Sequence, residues 1–383
     1  MKRGKQRLAL LAVLEIALVT VATPAHAGPA SSSTAIVAMG DSFISGEAGR
    51  WQGNSLNFTG TRDGTDRAAS CVLGLFCSYD AHRVYGGSYD DGCHRSDVAE
   101  IKTAAISVNE KINIACSGAQ TDNIWRASQG GQPFKGEAPQ SDQLASIARQ
   151  TNVKLIVLTI SANDLGFSDH VINCTAAWSL GHTCHAAEQA SIDAALPAAK
   201  SGLRKSVDEI RAVMAGAGYT TSQYRVVMQG YSSPIPRGAD NRYPETGWSR
   251  LTTGGCPFWN VDSDWAKNQA TPAIVDSMRA VAAEKGVQFL DVRDALNGHE
   301  VCSKASILVD RSHPVSAVTN EWVRRVSSGC CQGDARESLH PNAWGERAIG
   351  RCVTLIWSVR TGNRACRNTP GHGTGSMYLV SIP

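Results

Sequence analysis

The chain has 383 residues, with 37 Lys and Arg against 34 Asp and Glu and a formal net charge of +3. This near balance excludes a strongly basic nucleic-acid-binding protein, so no nucleic-acid partner is expected. The length suits one α/β domain with large loops, and no internal repeat, heptad array or proline-rich linker marks a second domain.

Residues 1–27 are typical of a secretory signal peptide. A basic start is followed by an apolar run over residues 8–22 and by Ala-His-Ala at 25–27, where small residues suit cleavage. The alternative is a membrane anchor, but the run is shorter than the ~20 residues that a span needs. We therefore predict export and cleavage, which would leave an extracellular chain with 33 residues of each charge sign and no integral membrane span.

Regular structure is expected from residue 34 onward. Short apolar runs predict strands at residues 34–39, 112–116, 154–160, 224–230 and 287–292. Segments with helical character follow at residues 141–149, 192–217, 273–285 and 343–359. Because strands that alternate with helices pair in parallel, we predict a three-layer α/β/α sandwich around a mostly parallel five-stranded sheet. A single domain would span residues 28–367, with loop insertions near 50–92 and 232–267, and residues 368–383 would form a flexible tail.

All twelve cysteines follow the predicted signal peptide. They stand at positions 71, 77, 93, 116, 174, 184, 256, 302, 330, 331, 352 and 366. A high, even count in an exported chain predicts disulfides, whereas no Cys-x-x-Cys pair joins a second ligand pair as a zinc site needs. Local bridges are plausible for Cys71 with Cys77, Cys93 with Cys116, and Cys174 with Cys184. The pairing of the last four cysteines stays open.

Polar motifs follow the predicted strands. Gly-Asp-Ser at residues 40–42 ends the first strand, where ligands bind in open α/β sheets, although Ser and Asp also cap helices. Three further blocks stand later in the chain: "ACSGAQT" at 115–121, "SANDLGF" at 161–167 and "ESLHPNAWG" at 337–345. The first two follow strands, and the third precedes the last predicted helix. We therefore expect all four blocks to meet at one edge of the sheet.

The ordered set of four blocks, between residues 40 and 350, resembles the SGNH or GDSL hydrolases, and in particular their secreted bacterial esterases and lipases. The resemblance implies a flavodoxin-like fold, ester hydrolysis by a serine nucleophile, and no metal or other cofactor. It also implies site roles: Ser42 as nucleophile, His340 as general base, and Ser42 N–H, Gly118 N–H and the Asn163 amide as oxyanion donors. Such roles suit the chemistry, because a serine hydroxyl needs a base and the oxyanion needs preset donors.

Two positions depart from the family pattern. Ser161 stands where the family usually has glycine, and Glu337 stands where it usually has aspartate three residues before the histidine. A second segment, "DRSHP" at 310–314, matches the aspartate form literally. We nevertheless predict His340 as the base, because an amphipathic helix follows it and none follows His313. Glu337, or failing that a nearby backbone carbonyl, is expected to orient the His340 ring.

These observations favour a secreted, monomeric esterase or lipase that acts on a small-molecule or lipid ester through an acyl-enzyme on Ser42. Chain length and head group stay open, and phospholipid deacylation, polysaccharide deacetylation and tailoring of a lactone are alternatives. A further alternative is a lipid- or glycan-binding protein that kept the fold and lost turnover. Ser161 is the best support for that reading, but a binding protein has no need of the four role-bearing residues.

Overall fold

The computed structural model describes residues 31–73, 76–329 and 332–383. The predicted signal peptide and the adjacent pair Cys330 and Cys331 lie outside the described residues. None of the described helices is long and apolar enough to cross a bilayer.

A central sheet organises the described residues. Its strands are β1 (Thr34–Gly40), β4 (Glu110–Asn113), β5 (Asn152–Thr159), β6 (Arg225–Gln229), β7 (Gln288–Asp291), β8 (Asn363–Arg367) and β9 (Tyr378–Ile382). Their order in the sheet is β4-β1-β5-β6-β7-β8-β9, and every neighbouring pair is parallel except β8 with β9. A separate hairpin pairs β2 (Ala69–Val72) with β3 (Phe76–Tyr79) inside the first loop insertion.

The five predicted strands correspond to β1, β4, β5, β6 and β7, and the mostly parallel α/β fold is confirmed. The predicted strand count was too low, because the described sheet has seven strands. Within the predicted flexible tail, residues 378–382 instead form β9, which pairs with β8 and is the edge strand of the sheet. Neither β8 nor β9 has the buried apolar run that marks the inner strands. Their pairing therefore depends on backbone hydrogen bonds at the sheet edge.

Helices cover the sheet in two groups. Their bounds are α1 (Ser42–Ser45), α2 (His82–Tyr85), α3 (Glu100–Thr103), α4 (Gln140–Gln150), α5 (Phe167–Ser179), α6 (His185–Gly216), α7 (Asn260–Trp265), α8 (Thr271–Lys285) and α9 (Ala343–Ser358). Helix α6 packs against α4 and α8, whereas α9 packs against α3. The mostly buried, largely apolar strands β1 and β5 lie between these groups and form the centre of the core.

The chain reverses its direction across the sheet at β1. From β1 it moves outward to β4, and it then crosses to β5 on the other side of β1. A crevice forms beyond the carboxyl ends of the strands at such a switch point, and this is the usual ligand site of open α/β sheets. Ser42, directly after β1, therefore lies at the position that the topology favours for chemistry.

Disulfides link loops to the sheet and its helices. In the described residues, five cysteine pairs lie at bonding distance: Cys71–Cys77, Cys93–Cys116, Cys174–Cys184, Cys256–Cys302 and Cys352–Cys366. The three local pairs considered plausible from the sequence are among them. The structure also pairs Cys352 with Cys366, which the sequence left open, because α9 and β8 bring the two residues together.

Candidate active site

Ser42 begins the one-turn helix α1 at the end of β1. Asp41 caps this helix, because its Oδ1 accepts a hydrogen bond from the Phe43 N–H at 3.1 Å. Gly40 has a φ of +141°, and the site of its missing Cβ lies 1.8 Å from the Thr159 carbonyl oxygen of β5, so a side chain cannot fit there. The Gly-Asp-Ser segment thus makes a tight turn in which Asp41 is the cap and the Ser42 hydroxyl is free for another partner.

His340 is that partner. Its Nε2 lies 2.7 Å from Ser42 Oγ, and its Nδ1 lies 3.0 Å from the Ser338 carbonyl oxygen. The carbonyl can only accept, so Nδ1 carries the proton and Nε2 is left with a lone pair that faces the serine hydroxyl. The structure therefore brings together the two residues that the sequence pointed to as nucleophile and base.

The surroundings of His340 keep its ring neutral. Burial lowers the pKa of His340 below its ordinary value of 6.5, and the nearby Glu47 carboxylate opposes this effect only in part. A neutral imidazole at neutral pH can accept the proton of Ser42. The His340 backbone is also held firmly, because its carbonyl accepts from Arg324 N–H at 2.9 Å and Asn342, two residues on, caps α9.

The Glu337 side chain forms no hydrogen bond with the His340 ring in the described residues, contrary to the first expectation, and the backbone carbonyl of Ser338 lies at Nδ1 instead. The Glu337 carboxylate accepts from Trp51 Nε1 and the Tyr85 hydroxyl, each at 2.7 Å, and from Asp334 N–H at 3.0 Å. Burial raises the pKa of Glu337, and the Tyr85 and Trp51 hydrogen bonds and the nearby Arg324 guanidinium offset this effect in part. The short helical turn at residues 335–337 aims this side chain inward and leaves the Ser338 carbonyl to face the ring. A backbone carbonyl has no signature in the sequence.

The candidate oxyanion donors lie on three segments of the chain, and a hydrogen bond joins the segment of Asn163 to that of Gly118. Within the described residues, the backbone N–H groups of Ser42 and Gly118 have no hydrogen-bond acceptor. Asn163 Nδ2 donates to the Ala119 carbonyl oxygen at 2.9 Å, which uses one of its two N–H bonds and leaves the other available. Gly118 has a φ of +88°, a conformation that glycine adopts without strain. Each of the three proposed donors therefore has an N–H bond available for an oxyanion.

Ser161 adopts the backbone conformation of the glycine it replaces. Its φ is +119°, which an L-amino acid with a side chain rarely adopts. The residue is fully buried, and its Oγ has no hydrogen-bond partner in the described residues. The turn that leads to Asn163 thus holds a serine in a conformation that glycine adopts readily, and local strain is the consequence.

An apolar cavity of about 120 Å³ opens beside Ser42 and His340. Side chains from α5, α6, α8 and the segment before α8 form its walls, including Phe167, Val171, Ile192, Phe258, Trp265 and Ile274. Sequence patterns did not reveal this cavity, because its wall residues are widely separated along the chain and each also fits a core position. The cavity can hold a hydrocarbon chain while the reacting carbonyl stays at the Ser42 hydroxyl.

One cluster in the described residues has the geometry of a metal site: Asp91, Cys93 and Glu137. The donor set does not fit a metal, because Cys93 sulfur is bonded to Cys116 and Glu137 forms an ion pair with Arg95. His313, the histidine of the alternative motif, is exposed and its ring contacts Asp310. Neither group contributes to the arrangement around Ser42.

The family model for the GDSL-like lipase/acylhydrolase family matches residues 85–348. The chain therefore belongs to this family of ester hydrolases, as the motifs indicated. No curated protein sequence matches it at comparable significance.

Solved structures to which the chain is similar include two Streptomyces proteins. The extracellular lipase of Streptomyces rimosus is 19% identical, over 82% of this chain and 95% of that chain, with a TM-score of 0.43. The phospholipase A1 of Streptomyces albidoflavus NA297 is 21% identical over the same shares, with a TM-score of 0.43. A carbohydrate acetylesterase from Sinorhizobium meliloti is 13% identical over 71% of this chain and 89% of that chain, with a TM-score of 0.32.

Proposed function

We propose that the protein is an exported serine esterase that cleaves carboxylic esters with an apolar acyl chain through an acyl-enzyme on Ser42. The observation that supports it most directly is the hydrogen bond between Ser42 Oγ and His340 Nε2 at the mouth of the apolar cavity. Family membership supports ester hydrolysis, and the cysteine pairs support an oxidising compartment.

In the proposed reaction, Ser42 Oγ attacks the ester carbonyl carbon while its proton passes to His340 Nε2. The imidazolium that forms is stabilised by the Ser338 carbonyl oxygen, and the oxyanion accepts from Ser42 N–H, Gly118 N–H and Asn163 Nδ2. Collapse of the tetrahedral intermediate breaks the bond to the alcohol oxygen, which takes the proton from Nε2. A water molecule then repeats the sequence on the acyl-enzyme and releases the acid and free Ser42.

The cavity favours an acyl chain longer than acetyl. An acetyl group would leave the apolar walls beyond Ser42 uncovered, whereas each additional methylene that enters contributes about 0.8 kcal/mol of transfer free energy. We therefore expect kcat/KM on p-nitrophenyl esters to rise as the acyl chain lengthens from acetyl and to fall once the chain exceeds the cavity. A maximum at acetyl would contradict the lipid-ester proposal and favour a deacetylase.

The nucleophile is tested by Ser42→Ala, which should abolish hydrolysis without unfolding the protein, since it removes no core side chain. Ser146→Ala, on the exposed side of α4, is the matched control and should keep wild-type activity. A fluorophosphonate probe should label the wild type and Ser146→Ala but not Ser42→Ala. Labelling of Ser42→Ala, or wild-type protein that cleaves no ester in the series, would show that the mechanism is wrong.

Export is tested on the full chain. Expression from its own first methionine should place the protein in the culture medium with residue 28 at its N-terminus, as the Ala-His-Ala segment predicts. Protein that stays membrane-bound with residues 1–27 attached would support the anchor instead.

A further inference from the structure

Three loops at the carboxyl edge of the sheet meet at one buried tyrosine. Tyr231 follows β6, and its hydroxyl donates to Asp41 Oδ2 at 2.5 Å. The same hydroxyl oxygen accepts from the Ala162 N–H at 3.1 Å. Asp41 directly precedes Ser42, and Ala162 directly precedes Asn163. One hydroxyl thus joins the turn of the proposed nucleophile to the turn of a proposed oxyanion donor.

Both hydrogen bonds depend on the ionisation state of Asp41. A carboxylate leaves the single Tyr231 proton directed at Oδ2 and the Tyr231 oxygen free to accept from Ala162. The Asp41 side chain is only 1% exposed, and its Oδ1 is already used to cap α1. The Tyr231 ring is fixed as well, because it packs edge-on against Phe43 with centroids 5.3 Å apart. The network therefore has one well-defined arrangement.

We propose that Tyr231 is a positioning residue, which holds Ser42 and Asn163 in register through the Asp41 carboxylate and the Ala162 N–H. This inference rests on the proposed function. It concerns the distance between nucleophile and oxyanion donor rather than contact with the acyl chain, although Tyr231 also lines the cavity. An oxyanion donor that is displaced slightly loses most of its effect, since stabilisation depends on preset geometry.

The electrostatic surroundings of Asp41 make the network sensitive to pH. Burial raises the pKa of Asp41 to about 7, and the Tyr231 hydrogen bond lowers it relative to burial alone. The other titratable groups that face Asp41 are Asp164, from the turn after β5, and Glu100, from α3. The Asp164 carboxylate raises the pKa of Asp41, whereas Asp41 in turn raises the pKa of Glu100. Removal of the Tyr231 hydroxyl should therefore move the protonation of Asp41 to higher pH.

The first test is Tyr231→Phe, with Tyr219→Phe as its matched control. The Tyr219 hydroxyl also accepts from a backbone N–H, that of Val153 at 2.9 Å, and donates to the Thr151 carbonyl at 2.6 Å, at the opposite end of β5. We expect Tyr231→Phe to lower kcat by up to about 100-fold with little change in KM, because a misplacement of about 1 Å at the reacting groups can cost that much. Tyr219→Phe should keep wild-type kcat. A raised KM with wild-type kcat would overturn the proposal and make Tyr231 a wall of the substrate cavity.

The pH profile separates positioning from general destabilisation. In Tyr231→Phe the fall of kcat at low pH, which is the acid limb of the pH profile, should move to higher pH, because Asp41 has lost a hydrogen bond to its charged form. An unmoved acid limb would overturn the proposal. In Asp41→Asn, kcat should also fall, and the acid limb that remains should follow His340 alone. If Tyr231→Phe does not fold, a folded Asp41→Asn variant with wild-type kcat would equally overturn it.

A double-mutant cycle tests whether Tyr231 acts through Asn163. If Tyr231 acts by placing Asn163, then the loss caused by Tyr231→Phe should be much smaller in an Asn163→Ala background than in the wild type. If the losses caused by Tyr231→Phe and Asn163→Ala are fully additive, Tyr231 does not act through Asn163 and the proposal is overturned. Failure of the proposed function is distinguishable, because it would appear as activity in Ser42→Ala or as wild-type protein without esterase activity.

Discussion

Ser161 is the residue at which a departure from the family pattern has a measurable cost. Its positive φ disfavours serine, and so does its buried Oγ, which has no hydrogen-bond partner in the part of the chain that the structure describes. Ser161→Gly should raise the free energy of unfolding by about 1 kcal/mol and keep kcat, because the backbone already has the conformation that glycine prefers. Chemical denaturation measures the first and the ester assay the second. A less stable Ser161→Gly protein would mean that the serine contributes a contact that outweighs the strain.

Single substitutions can also distinguish the roles of His340, His313 and Glu337. His340→Ala should lower kcat by several orders of magnitude, and His313→Ala should keep most activity, since the His313 ring contacts only Asp310 in the described residues. Glu337→Gln should change kcat little in the folded protein but destabilise it by about 3 kcal/mol, because an amide cannot satisfy the donors of Trp51, Tyr85 and Asp334. An inactive His313→Ala variant, or a stable but inactive Glu337→Gln variant, would contradict this assignment.

At the scale of elements, α3 and α9 meet through two buried carboxyl groups. Glu346 Oε2 accepts from the Glu100 N–H at 2.8 Å, and Gln229 Nε2 donates to Glu100 Oε2 at 2.9 Å. Burial and mutual repulsion raise the pKa of Glu346 well above its usual value, and burial raises that of Glu100 to about 8. The folded state therefore favours protonated carboxyls, and this contribution to stability is lost as pH rises from about 4.5 through about 8.

Glu346→Gln should remove part of this dependence. The amide is neutral at every pH and keeps an oxygen for the Glu100 N–H, so we expect the variant to exceed the wild type in unfolding free energy by about 2 kcal/mol at pH 9. At pH 5 the two proteins should be similar. Thermal unfolding at both pH values measures this, with Glu284→Gln, a half-exposed glutamate on α8, as the control. Parallel pH curves for Glu346→Gln and the wild type would refute the buried-proton account.

At the scale of the whole molecule, disulfides constrain loops of very different length. The pair Cys256–Cys302 closes a loop of sequence separation 46, whereas Cys71–Cys77 closes one of 6. Chain entropy predicts that the longer loop contributes about 4 kcal/mol and the shorter about 2 kcal/mol. Replacement of both cysteines of a pair by serine should therefore lower Tm more for the former pair. Peptide mapping of the oxidised protein should recover both bridges, and free thiols at these positions would contradict the prediction.

The sequence by itself determined the family, the parallel α/β core and the positions of Ser42 and His340. It could do so because inner strands are continuous apolar runs and because the polar motifs form an ordered set of blocks, placed after strands or before the last helix. Tertiary structure alone decided that the Ser338 carbonyl orients His340, since backbone groups leave no mark in the sequence. It also decided the edge strands, the apolar cavity and the Tyr231 network, because each depends on contacts between residues far apart in the chain. Local propensity cannot encode such contacts, which follow from how the elements pack.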